Sequence, residues 1–400
     1  MHTLTSEQEQ AVEIIKNNNV SILTGAPGVG KTFLAKRVID QHIKRGYKIA
    51  LCAPSGKAAR RLSQSTGRGA STIHSMLQAR MVRDEFVFSY CENNQMDIDM
   101  IVVDESSMLD SPLMASLMHA VSPKTKLLFI GDDSQLPPVG MGCVFRDMIA
   151  SGVIPVAELT EIQRNSGQIV RACHKIKDGK SYTPSKIIDI EAGINLVHVE
   201  CSSPQKIVQF IDRIVTEKMV ERGYDPIWDV QVLSPTNKRT TMSCESINKT
   251  LQAKLNPNKI NEITGFGPGD KVINTKNTTF KDGEYVANGD LGTIQSYEGN
   301  ELIVRFSDPD REVTMNAVNN KLLHAYCCTT HRYQGSEVPV VIIPVHSSFN
   351  FFVTRPWIYT AISRAQHICI TVGEFSAIES AIAKEGSDHR LTRLQERLVI

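Results

Sequence analysis

One eight-residue stretch constrains this chain more than any other: GAPGVGKT, Gly25 to Thr32, set between the apolar run VSILTG and a helical pattern that starts at Lys31. Three glycines leave the backbone nearly bare at the point where a buried strand would hand over to a helix. A turn of that kind suits an anion. Its amide groups can converge on phosphate oxygens, and the helix N-terminus adds a favourable dipole. The stretch satisfies G-x-x-x-x-G-K-[ST] in the strand–turn–helix context the motif requires. A triphosphate would then be cradled from Gly25 through Ala26, Pro27, Gly28, Val29 and Gly30 to Phe33. Lys31 would reach the β- and γ-phosphates, and Thr32 would hold Mg²⁺.

A phosphate turn implies a particular sheet. KIALCAPS, MIVVDES and KLLFIGD follow as continuous apolar runs with helical patterns between them. Continuous rather than alternating apolarity predicts a parallel sheet covered on both faces, an α/β fold. In MIVVDES, Asp104 and Glu105 leave the carboxyl end of a strand, where open α/β folds place their ligands. Asp104 suits a Mg²⁺ contact through water, and Glu105 suits a general base for an attacking water. GDDSQ ends a further strand and puts Gln135 near the same edge as a γ-phosphate sensor.

A second α/β region is expected from residue 161 to 400, after a first domain at 1–160, with DVQVLSPT, VVIIPVH and HICITVG as its strands. Two stretches break the pattern. Residues 79–98 carry Phe86, Phe88 and Tyr90 at alternate positions before a turn, which predicts a β-hairpin excursion. Residues 264–316 are glycine-rich with turn signals KDG, NGD and EGN, which predicts a small antiparallel barrel inserted in the second domain.

Composition narrows the class. Hydrophobic residues make up 41% of the 400 and charged residues 22%, as in soluble globular proteins. No apolar run approaches a membrane span, and MHTLTSEQEQ lacks the layout of a secretory signal. Nine scattered cysteines without CxxC spacing argue against disulfide and zinc frameworks. These features place the expected site of action in the cytoplasm. A net charge of +1 decides nothing about nucleic acid, but residues 55–80 carry five Lys and Arg and no acid. That window is either a solvated helix face or a surface that tracks phosphates.

The ordered strings LTSEQ (4–8), GAPGVGKT, CAPSGKAARRL (52–62), STIHSML (71–77), VVDESSMLD (102–110), FIGDDSQLPPVGMG (129–142), ELTEIQRN (158–165), THRYQGSE (330–337) and YTAISRA (359–365) resemble the motif set of superfamily 1 helicases. The resemblance is to the RecD/Dda-like branch that translocates 5′→3′, and it covers almost the whole chain. It implies two RecA-like motor domains, ATP and Mg²⁺, single-stranded and forked DNA as partners, and a monomer without membrane contact. Single-stranded-DNA-binding, replication or recombination proteins are implied as further partners. Gln8 looks like the adenine-reading glutamine, and Arg164 and Arg364 like the two arginines brought to the γ-phosphate. Gly335 and Glu337 match the nucleotide-edge motif.

The same resemblance implies single-strand contacts from Ser55, Lys57, Thr72, His74, Thr330, His331 and Gln334. Arg332 stands where the family pattern has lysine, which keeps the charge and changes its geometry. His74 has a second reading, a core histidine satisfied by the backbone. Phe86 and Phe88 could stack on the base pair being split, if the hairpin is the family's wedge, or could simply pack the hairpin onto its domain. The 264–316 insert resembles the family's SH3-like barrel. The activity implied is ATP-dependent duplex unwinding. Two alternatives are a translocase or nucleoprotein-remodelling ATPase without robust unwinding, and the motor subunit of a recombination or repair complex. A non-motor P-loop kinase would leave the second α/β half unexplained.

Overall fold

The computed structural model describes residues 4–83, 85–161, 167–257, 260–262, 264–280, 285–307, 310–386 and 394–399. The chain forms two compact units, Met1–Ser166 with Glu385–Ile400, and Gly167–Lys384. Arg164 lies outside the described residues.

The first unit contains β1 (Val20–Gly25), β2 (Ile49–Ala53), β3 (Ser71–Thr72), β4 (Ala79–Val82), β5 (Glu85–Phe88), β6 (Met100–Val103), β7 (Lys126–Gly131) and β8 (Val156–Leu159). Six of these form one sheet in the order β3-β2-β6-β7-β1-β8, and every pair is parallel. Helices α1 (Ser6–Asn17), α2 (Lys31–Lys44), α3 (Gly56–Thr66), α4 (Ile73–Met76), α5 (Ser111–Ala120) and α6 (Val144–Ala150) accompany it. Two separate apolar clusters explain the continuous apolar strands. Leu23, Leu51, Val102 and Leu128 join one with Leu34 and Val38 of α2, and Ile22, Cys52, Ile101 and Phe129 join another with Leu113 and Leu117 of α5.

Strands β4 and β5 pair antiparallel from Ala79↔Phe88 to Val82↔Glu85, a short ribbon outside the main sheet. Arg83, at φ 49, begins its turn. The chain's last described helix, Leu394–Leu398, belongs to the first unit, whereas the sequence reading placed all of 161–400 in the second. Leu394 and Leu398, one helical turn apart, pack on the first unit's core, and Gln395 Nε2 donates to Ala150 O at 3.1 Å.

The second unit adds β9 (Leu196–Glu200), β10 (Val230–Ser234), β11 (Lys271–Asn274), β12 (Thr278–Thr279), β13 (Tyr285–Val286), β14 (Leu291–Glu298), β15 (Glu301–Ser307), β16 (Asp310–Asn316), β17 (Leu322–His324), β18 (Cys327–Thr329), β19 (Val338–Val345) and β20 (Ala365–Gly373). Its parallel sheet runs β18-β10-β19-β20-β9. Between β10 and β18 the chain leaves to build a five-stranded antiparallel sheet, β16-β15-β14-β11-β17, over Phe266, Val272, Ile294, Leu302, Val304 and Phe306. This sheet extends past residue 316 to His324, because β17 closes on β11.

A buried carboxylate anchors the entry to that insert. Asp270 is fully buried and accepts from Asn256 Nδ2 (2.7 Å), the Gly267 amide (2.7 Å), Tyr326 OH (2.9 Å), Gln252 Nε2 and His324 Nε2. Burial pushes its pKa up, but the bonds from His324, Asn256 and Gly267 outweigh that and hold it below the usual carboxylate range. Its stabilisation is therefore present at neutral pH and is lost as the pH falls through the depressed value. Asp270→Ala leaves five donors short of a charge and should cost about 3 kcal/mol or more. Urea unfolding followed by tryptophan fluorescence measures it, and a loss well under about 1 kcal/mol would contradict the anchoring role.

Candidate active site

The phosphate loop is a product of β1 and its neighbours. Strand β1 ends on Gly25, with β7 on one side and β8 on the other. A Cβ on Gly25 would stand 2.4 Å from Leu159 O, and its φ of +152° suits glycine, so a side chain is excluded twice. Gly28 and Gly30 also take positive φ, 83° and 92°. Gly30 is the N-cap of α2 and provides no side-chain cap, so the first amides of that helix are left to a ligand. Ala26 and Val29 are buried and fix the loop from beneath, while Pro27 is partly exposed. Lys31 Nζ donates to the carbonyls of Gly25 (2.5 Å) and Ala26 (3.0 Å), folded over the empty curve of the loop. Thr32 and Phe33 are exposed just beyond it.

The other candidate groups lie along the same edge, because all six strands run one way. Reading across the carboxyl ends from β3 to β1 gives Thr72 and His74, Ser55 and Lys57, Asp104 and Glu105, Gln135, and the phosphate loop. Adjacent strands are about 4.8 Å apart, so Asp104 is only two strand spacings from the loop. Asp104 accepts from the Glu105 amide at 2.9 Å, and Glu105 sits in the left-handed region at φ 50°. Burial, then the neighbouring Glu105 charge, raises the Asp104 pKa to about 6, against the Glu105 amide and the charges of Arg61 and Lys31. Gln135 is buried; its Nε2 points to Asp132 Oδ2 at 3.4 Å, and Arg146 donates to Asp133 O (2.7 Å) and Gln135 O (3.2 Å).

Sequence reasoning missed several of these groups. Arg61 was only one of five cations in a basic window, and nothing in its spacing pointed to Asp104. Arg146 has no motif neighbour, and its role follows from α6 folding back beside β7. Glu7 accepts from the Thr160 amide (2.8 Å), Thr160 Oγ1 (2.7 Å) and the Glu161 amide (3.1 Å), tying α1 to the segment after β8. Its neighbour Gln8 is buried and shares a capping box with Thr5, its Oε1 accepting from the Thr5 amide at 3.3 Å.

The nucleic-acid candidates of the first unit sit on helix starts. Ser55 caps α3 by accepting from the Ala58 amide, and Thr72 caps α4 by accepting from the Ser75 amide. Lys57 stands in the first turn of α3. His74 meets the ribbon: its ring centroid is 4.7 Å from Phe86 and 6.0 Å from Phe88. Burial among these rings lowers its pKa, and the Asp110 charge opposes the shift. Phe88 and Tyr90 pack on the core, whereas Phe86 is half exposed.

In the second unit, Thr330, Gln334, Gly335 and Arg364 are buried, and His331 and Glu337 exposed. Arg364 caps the helix Arg355–Ser363 and donates from Nε to Thr360 O (3.2 Å), from one terminal nitrogen to Ser336 O (3.4 Å) and from the other to Ser363 Oγ (3.0 Å). Gly335 takes φ 72° at the loop's turn, and Glu337 accepts from Gln366 Nε2 at 3.4 Å.

The glycine cradle, the uncapped helix start and Lys31 resting on carbonyls fit a polyphosphate. Thr32 and Asp104 offer hard oxygen ligands. Among the described residues no cluster of three His, Cys, Asp or Glu is built for a metal. An ion held by two side chains plus phosphate and water is the Mg²⁺ pattern.

Comparison with known proteins bears on the family and the fold. Residues 3–198 match the AAA domain model and residues 324–372 the UvrD-like helicase C-terminal domain model. The ATP-dependent RecD2 DNA helicase of Deinococcus radiodurans is 32% identical over 400 residues, covering 99% of this chain. The RecBCD enzyme subunit RecD of Mycolicibacterium smegmatis is 28% identical over 427 residues, covering 98% of this chain and 74% of that one. The chain is thus similar to RecD helicases along nearly its whole length. It spans about half (52%) of the Deinococcus relative's length. The Pif1 helicase from Bacteroides in complex with ADP-AlF3 and single-stranded DNA superposes with a TM-score of 0.57 at 17% identity, over 93% of this chain and 92% of that one. The same helicase bound to single-stranded DNA gives 0.54 at 18% identity, over 100% and 95%. At such identities the likeness speaks for the fold, a RecA-like α/β core. Among the described residues no helix is long and apolar enough to cross a membrane.

The raised Asp104 pKa carries a stability consequence. Its charged form is disfavoured in the folded protein, so stability falls as the pH rises from about 4, the unfolded value, through about 6. Asp104→Asn removes that cost, worth about 1–2 kcal/mol after allowing for partial exposure. Thermal melts of the nucleotide-free protein should show the variant a few degrees above wild type at about pH 7.5 and level with it near pH 4. A lower melting point at about pH 7.5 would contradict the burial of that charge.

Proposed function

We propose that this chain is an ATP-dependent DNA helicase that moves 5′→3′ along single-stranded DNA and opens duplex ahead of it. The observation that carries the reading is the single sheet edge on which the phosphate loop, Asp104–Glu105, Gln135 and the Ser55–His74 segment lie in line. Likeness to a relative described as a DNA helicase supports this meaning for the edge and suggests the reaction.

In this reading the amides of Gly25–Thr32 and Lys31 bind the polyphosphate, with Gln8, Phe33, Gly335 and Glu337 around the nucleotide. Bound Mg²⁺, held by Thr32 and through water by Asp104, would neutralise charge on the phosphates. Glu105 orients the attacking water and takes its proton, and Gln135 reports the γ-phosphate. Arg164 and Arg364 spread guanidinium charge over the transferring oxygens, which Arg does better than Lys because its fork is planar. Ser55, Lys57, Thr72, His74, Thr330, His331 and Gln334 grip phosphate and sugar, so binding tolerates sequence. Nucleotide state shifts each unit's affinity for the strand and so gives direction to movement.

The β4–β5 ribbon serves as the wedge, with half-exposed Phe86 as the aromatic nearest the separating base pair. The five-stranded insert is the SH3-like barrel of the branch. The protein works in the cytoplasm as a monomer on single-stranded and forked DNA, beside single-strand-binding or replication and recombination proteins. A second reading, the motor subunit of a larger complex, draws on the likeness to RecBCD subunits.

Duplexes with a 5′ or a 3′ single-stranded tail distinguish these readings. With ATP and Mg²⁺ the 5′-tailed duplex should open and the 3′-tailed one stay paired; no opening of either would leave the translocase or subunit reading. Lys31→Ala should abolish both unwinding and nucleotide turnover, and undiminished turnover would remove the phosphate-loop assignment. Arg364→Ala should keep nucleotide affinity and slow hydrolysis severely, since its charge acts on the transition state; normal turnover would overturn that role.

A further inference from the structure

A small cavity lies beside the catalytic edge of the first unit, lined by Ser107, Asp133, Gln135, Pro137, Cys143 and Arg146 among others, and its ≈ 10 Å³ suits one water molecule. Ser107 stands in the short turn Ser106–Met108 that follows Glu105 directly. The preceding Ser106 is satisfied, donating to Val103 O at 2.8 Å. Ser107 differs. It is 6% exposed, and among the described residues its Oγ has no hydrogen-bond partner. The two loops that meet here are held close by Gly131, where a Cβ would fall 3.1 Å from the Ser107 amide nitrogen and 2.9 Å from the Phe145 ring. Gln135, four residues after Gly131, shares the cavity wall with Ser107.

A buried hydroxyl left without a partner is a stability cost, and native structures keep few of them. We propose that Ser107 is a positioning residue for phosphoryl transfer: its hydroxyl, through one water in this cavity or directly, couples the Asp104–Glu105 turn to the side chain of Gln135. The inference rests on the proposed ATPase reading. In it, Ser107 touches no substrate; it sets where Gln135 stands when nucleotide is bound.

Three measurements on the full chain test this. Single-stranded-DNA-stimulated ATP turnover by Ser107→Ala should show kcat reduced several-fold with KM for ATP unchanged. Ser107→Ala should add nothing in a Gln135→Ala background, because the two residues act as one unit. The melting temperature of nucleotide-free Ser107→Ala should stay close to or above that of wild type, since its hydroxyl makes no hydrogen bond to the protein. Wild-type kcat in Ser107→Ala, additive losses in the double variant, or a melting point several degrees lower would each overturn the proposal and leave Ser107 a packing residue. A wild-type chain without turnover would instead overturn the ATPase reading, and the inference with it, whereas active wild type beside unaffected Ser107→Ala overturns the inference alone.

Discussion

The whole candidate site edge depends on one close approach: the α-carbon of Gly25 against the carbonyl of Leu159, with a hypothetical Cβ only 2.4 Å from that oxygen. It occurs where β1 is gripped between β7 and β8 in parallel register. Because nothing larger than hydrogen fits there, the chain can turn sharply out of the sheet, carry two further glycines through positive φ, and begin α2 with unspent amides. The anion site is thus made of backbone, and the sheet sets its position. Each of the other groups takes its place from the same sheet, one strand end at a time.

That origin explains why the groups fall in a line. Parallel strands deliver all their following loops to one edge, and the order β3-β2-β6-β7-β1 sorts them from nucleic-acid candidates to the phosphate loop. The carboxylate at the centre of the row carries the electrostatic strain. Asp104 is pushed towards a neutral form at about pH 6 by burial and by Glu105, and pulled back by Arg61 and Lys31. A cation bound beside it would remove that penalty. Arg61 is instructive here, since it belongs to the helix that Ser55 starts and so links a nucleic-acid candidate to the Asp104 carboxylate through one short element.

Much of this was legible before any coordinates. The glycines and Lys31 of GAPGVGKT, the continuous apolarity of MIVVDES and the polar ends of the strands state local requirements, and local requirements survive in sequence. Alternate aromatics pointed to an excursion over 79–98, and the antiparallel ribbon occupies 79–88. What sequence could not carry was contact between distant segments. His74 and Phe86 are far enough apart in the chain that nothing in their spacing pairs their rings at 4.7 Å. The return of Leu394–Leu398 to the first unit depends on an apolar pair too short to announce a destination. Asp270 reads as one acid in a glycine-rich loop, and only the fold supplies its five donors. Arg164 was a motif assignment, and it lies outside the described residues.

One measurement bears on the central claim, that this edge is a nucleotide-hydrolysing site answering to a polynucleotide. It is the steady-state rate of ATP hydrolysis by the full chain with Mg²⁺, followed as single-stranded DNA of mixed sequence is titrated in. The rate should climb several-fold and saturate, with little dependence on base composition. A rate indifferent to the oligonucleotide would contradict it.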